Sequence, residues 1–89
     1  EEHSDLSAVV VYPNPTQGLI SINGTLGQEA PVAVRIVNYL GQVVHSDSFD
    51  AQAGGFEKTY DLSAAASGSY VIEIETAKGL LQKTVVVRH

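Results

Sequence analysis

Hydrophobic and polar residues alternate along this chain with the two-residue period of β-strands. Val32, Val34 and Ile36 share one face of a run, while Ala33 and Arg35 take the other. That is the pattern of a strand half-buried against a core. Tyr70, Ile72 and Ile74 repeat it, opposite Glu73 and Glu75. Further apolar runs over residues 8–12, 19–22, 42–49, 56–62 and 80–87 complete about seven strands, spaced by roughly ten residues. No amphipathic helical period persists at useful length.

Turn chemistry separates the runs. Tyr12-Pro13-Asn14-Pro15 closes the first, because proline has no N–H for a ladder and fixes φ. Pro15 also drives Asn14 toward extended backbone. Asn23-Gly24 reads as a turn ending the second run, followed by loop over residues 25–31. Asn38-Tyr39-Leu40-Gly41 fits a type I turn, with Asn first and Gly fourth. Residues 50–55 form an Ala- and Gly-rich loop. Ser63 to Gly68 reads as one helical turn, capped by Ser63 and stopped by Gly68. Thr76-Ala77-Lys78-Gly79 joins the last two strands as a hairpin. Strands of this number and spacing predict an all-β fold, an immunoglobulin-like antiparallel β-sandwich. Tyr70 opens its strand after a tight corner, where such folds place a corner tyrosine.

Composition narrows the function. The 89 residues suit one domain, and with 44% apolar and 17% charged residues they can build a core. Net charge is −5, and Arg35, Lys58, Lys78, Lys83 and Arg88 are scattered. Neither the basic stripe of a nucleic-acid binder nor the basic cluster of a membrane-surface binder is present. No run approaches the roughly 20 apolar residues of a spanning helix, so direct membrane insertion is not expected. Without cysteine there is no disulfide and no thiolate chemistry, which leaves the compartment open. With no methionine and an opening of Glu1-Glu2-His3, the chain is expected to be a piece of a longer precursor, any export signal lying upstream.

Candidate chemistry is sparse. His3, His45 and His89 have no zinc-site spacing. Asp47 with Asp50, and Glu73 with Glu75, could pair on calcium, but read better as the wet face of a sheet. There is no nucleophile elbow and no phosphate loop. Asn23-Gly24-Thr25 matches a glycosylation triplet that its turn reading already explains. No cofactor, no metal and no catalysis are expected. Tyr39, at a hairpin tip, is the best single platform for a sugar.

The motifs together resemble a known family. Tyr12-Pro13-Asn14-Pro15 with Gly18 and Ile22 comes first, then residues 37–44 as Val-Asn-Tyr-Leu-Gly-Gln-Val-Val. Asp61-Leu62-Ser63 with Gly68 and Tyr70 follows, then Gly79, Lys83 and Val85-Val86-Val87. In order and spacing they are similar to the C-terminal sorting domains of type IX secretion cargo, in the subtype opened by Tyr-Pro-Asn-Pro (type A). Ala65 and Ala66 depart from the larger apolar residue and proline usual there. The resemblance implies a non-catalytic address at the end of an upstream cargo protein. The cargo would reach the periplasm by its own signal. The outer-membrane machinery would then recognise the domain, a sortase-like cysteine peptidase would remove it, and the cargo would finish at the cell surface or outside the cell.

The residues suggest where reading and cutting occur. The last strand lies at the free terminus, and an exposed edge there could recruit another chain by strand addition. The recognition surface is therefore expected at Lys83, Thr84, Val85, Val86 and Val87, with the turn at Lys78 and Gly79. Tyr12, Pro13, Asn14, Pro15, Gly41, Gly68 and Tyr70 are expected to be structural. Residues 1–8 read as linker and cleavage region, residues 9–89 as the sorting domain. The rival readings are a glycan-binding or adhesive module and a passive fibronectin-like spacer.

Overall fold

A computed structural model describes residues 6–77 and 79–88. Its strands are β1 (Leu6–Tyr12), β2 (Leu19–Leu26), β3 (Ala30–Asn38), β4 (Val43–Ala51), β5 (Phe56–Asp61), β6 (Gly68–Thr76) and β7 (Gly79–Val87). They form two antiparallel sheets, ordered β1-β2-β5 and β4-β3-β6-β7. The predicted sandwich is thus the observed one. Glu1 to Asp5 of the expected linker lie outside the described residues, as does Lys78.

Two local expectations are corrected. Asn23-Gly24 is not a turn, because β2 continues to Leu26 with Asn23 paired to both Val10 and Glu57. Ladders on both sides override the turn signal. The glycine instead admits a close neighbour: a Cβ at Gly24 would stand 2.7 Å from the Phe56 ring. Residues 63–68 form no helical turn. The Ser63 N–H donates to Asp61 Oδ1 at 2.8 Å, and the Ala65 N–H to the Leu62 carbonyl at 2.9 Å. The aspartate supplies an Asx turn in a segment too short to nucleate a helix. The corner ends where the Tyr70 hydroxyl donates to the Ala66 carbonyl at 2.5 Å.

The inward faces supply the core. Ile20, Ile22 and Leu26 of β2 meet Val32, Val34 and Ile36 of β3, Ile72 and Ile74 of β6, and Val85 and Val87 of β7. On the β4–β5 flank the seal mixes aromatic and polar contacts. Phe49 and Phe56 meet edge to face at 5.4 Å, and Lys58 lies over the Phe49 ring. The Tyr60 hydroxyl donates to Asp47 at 3.0 Å, and burial, with Asp47 beside it, pushes that phenol well above its ordinary pKa. On the outer face of the larger sheet, Arg35 bridges Glu73 and Glu75, and Gln82 donates to Glu73.

The register sorts the connections into two poles. Leu6 pairs with Leu26, Gly24 with Phe56, and Thr76 with Gly79, all at one pole. Tyr12 to Leu19, the Asn38–Gln42 turn, the Asp61–Gly68 corner and Val87 gather at the other. We call the first the base and the second the remote pole. The molecule is 38 Å long, so a strand of nine residues carries the chain most of the way between them.

Ile72→Ala should lower unfolding free energy by about 2–5 kcal/mol in a denaturant titration, as for a cavity in a close-packed core. A pH series tests the surface charges. Glu73, hydrogen-bonded to Arg35 and Gln82, and Asp61, hydrogen-bonded to Ser63, are both held below the usual carboxylate range. Their stabilisation is full above the ordinary carboxylate pKa and is lost as pH falls through the depressed one. The melting temperature should fall in that acid window, and Glu73→Gln should flatten the fall.

Candidate functional site

The first loop of the chain meets the end of its last strand at the remote pole. β7 is an edge strand, and the outward backbone groups of its last residues would otherwise be unpaired. Asn14 answers two of them: its side-chain amide donates to the Thr84 carbonyl at 3.2 Å, and its oxygen accepts from the Val86 N–H at 3.0 Å. Thr16 answers the next two. Its N–H donates to the Val86 carbonyl at 2.9 Å, and its carbonyl accepts from the Arg88 N–H at 2.8 Å. Thr16 is itself buried, its hydroxyl donating to the Leu19 carbonyl and accepting from the Gly18 N–H. Pro13 and Pro15 frame Asn14 with fixed φ, so the amide is held on the strand edge rather than searching for it. Tyr12 lies outside the clasp, accepting from Asn23 and donating to Glu57.

The residues expected to be read from outside fall into different places. Val85 and Val87 are fully buried in the core and cannot be read at a surface. Lys83 and Thr84 are exposed, and Val86 is half-buried. The edge from Thr84 to Arg88 is already occupied by Asn14 and Thr16, so strand addition there is blocked. Gly79 belongs to the base, at the opposite end of β7 from Val87, and does not share a surface with it. Lys78 lies outside the described residues. Alternation explains the division: a strand facing a core hides every second side chain.

The remaining motif residues build the same pole. Gly41, at φ +86°, closes the β3–β4 turn, where its N–H donates to the Asn38 carbonyl at 3.0 Å. The Asn38 side-chain oxygen accepts from the N–H groups of Leu40 and Gln42, and this frame carries Tyr39, 81% exposed. The neighbouring amides bond each other, Asn38 to Gln42, which leaves a sugar few partners beside the ring. Gly68 opens β6 opposite Val87, and Tyr70 pins the corner.

Sequence reasoning missed Thr16 and Asp61 as site residues. A Thr two residues before a Gly, directly after the Pro-Asn-Pro run, is the signal for Thr16. Asp61, two residues before Ser63, is the signal for the Asx turn. No cluster of His, Cys, Asp or Glu able to hold a metal occurs among the described residues.

Asn14→Ala should lower unfolding free energy by about 1–2 kcal/mol, since two backbone groups lose their partners. Amide exchange at Val86 should accelerate in that variant while Ile72 stays protected. Unchanged protection at Val86 would show that Thr16 alone holds the edge.

The profile of the family described as secretion system C-terminal sorting domain matches residues 10–88. A search of curated proteins finds no match. Among solved structures, the crystal structure of dimeric latent PorU from Porphyromonas gingivalis is similar, with a TM-score of 0.73 and 20% identity. The likeness covers 89% of this chain and 9% of that one, and it concerns the fold. The profile match takes in the clasp, the pinned corner and the last strand alike, and the chain belongs to the secretion system C-terminal sorting domain family, the addresses of type IX secretion.

Proposed function

We propose that this domain is an address read at its remote pole while its cargo hangs from its base. Family membership gives the role of sorting signal and implies export to the cell surface or extracellular space. The observation that carries the finer reading is the polarity of the fold. β1 enters at the base, whereas the Pro13–Thr16 clasp, the Asn38–Gln42 turn and the Asp61–Gly68 corner crowd the far end. A cargo domain joined upstream leaves that end open to an outer-membrane receptor. The route passes through the periplasm, and a sortase-like cysteine peptidase separates domain from cargo. That cut belongs upstream of Leu6, because Leu6 and Ser7 are already paired with Leu26 and Thr25.

Within the last strand, the candidates for reading are Lys83, Thr84 and the outer side of Val86. Val85 and Val87 act indirectly, by holding the strand in the core. Removing residues 84–89 would take away both valines and every clasp partner on β7, so a trapped cargo would report unfolding as much as lost recognition. Point substitutions at exposed positions separate the two.

Fusing residues 1–89 to an inert reporter, in cells with type IX machinery, should bring the reporter to the surface. Retention in the periplasm, with the domain folded, would refute the sorting reading. Saturable micromolar binding on a glycan array would favour an adhesive module. Sequencing the released domain should find its first residue at or before Leu6; a start beyond Pro15 would contradict the cleavage reading.

A further inference from the structure

We propose that the remote pole holds a docking groove centred on Asp61, which takes an extended protein segment presenting one Lys or Arg flanked by apolar side chains. The proposal rests on the sorting reading and names the chemistry that the reader must bring.

Two cavities meet at this residue. One, of about 710 Å³, runs past Pro13, Pro15 and Leu19. The other, of about 390 Å³, lies between Val44 on the β4 side and the Ala64-Ala65-Ala66 corner. Asp61 lines both, so its carboxylate stands between them, with Pro13, Pro15 and Leu19 to one side and Leu62, the alanines and His45 to the other, and we take the two as one trough. Leu19 is 59% exposed and Val44 43% exposed, although both project from ordered strands. Large apolar side chains left open beside a groove are surface that a partner would cover.

Charge fixes the occupant. The Ser63 N–H donates to Asp61 Oδ1 at 2.8 Å, which aims the carboxylate, and the serine beside it holds that carboxyl below its ordinary range. The described ion pairs join Arg35 to Glu73 and Glu75 on the outer face of the larger sheet; Asp61 has none among the described residues. A chain of net charge −5 repels an anionic surface, so the trough is unsuited to acidic lipid. An extended segment matches its layout, because alternate residues on one face of a strand stand about 6.6 Å apart. A central cation would then meet Asp61 while the residues two before and two after lie along the proline and alanine walls.

The test uses the 1–89 reporter fusion. Asp61→Asn keeps an oxygen to accept the Ser63 N–H and so keeps the turn, removing only the charge. Its surface appearance should slow by roughly tenfold, the scale of one lost charge-assisted contact, with the melting temperature at neutral pH nearly unchanged. Leu19→Lys should slow it comparably, by setting a cation in the trough. Leu80→Ser, exposed at the base, should be displayed like wild type. If wild type is displayed and folded Asp61→Asn and Leu19→Lys keep pace with it, the groove is overturned and the sorting reading stands. If wild type itself is not displayed, the sorting reading fails, and the groove with it. Stronger binding of the purified wild-type domain than of Asp61→Asn to phosphatidylcholine vesicles would assign the trough to lipid and overturn the proposal.

Discussion

The structure depends on how it finishes its last strand. An edge strand leaves a row of backbone groups unpaired, and β7 also carries Val85 and Val87 into the core. It must stay in register while one of its edges faces out. Asn14 and Thr16 solve this with four hydrogen bonds from a loop that proline has stiffened. The first loop of the chain thereby acts as the missing neighbour of its last strand. The three-stranded sheet gains a seam to the four-stranded one, and the remote pole gains a fixed floor.

The opposite flank is closed by other means. There β4 and β5 meet through an aromatic pair, a cation over a ring, and the Tyr60–Asp47 bond. Side chains rather than backbone make that seal, so it resembles ordinary core packing with a polar rim. One flank joins side chains across two strands, while the other ties a loop to the backbone of the last strand.

Much of this was legible beforehand because period and punctuation are local. Alternation located the strands, and the residues around Asn38 to Gly41 specified their own turn. The Tyr70 corner followed from its place after a short loop. What escaped was decided by partners distant in sequence. Asn23-Gly24 carries a turn signal, yet β1 and β5 pair with it from both sides and hold it extended. Asn14 looked like part of a stiff connector, because nothing near it in sequence reveals the backbone groups it serves on β7. Val85 and Val87 looked available at a free terminus, since their burial depends on which sheet face the strand presents. Asp61 was visible as a family residue, but the trough around it exists only once two loops and a strand end converge.

The clasp joins positions separated by 70 and 72 residues. Contacts of such sequence separation form only after the intervening chain is in place. In a protein made from its N-terminus, Asn14 is synthesised before Thr84 and Val86 and must wait for both before the clasp can close. A cargo cut short would still carry the Tyr-Pro-Asn-Pro sequence without the strand that completes it. The closed pole thus certifies one strand in particular: it forms only on a chain that has been translated through β7 and folded.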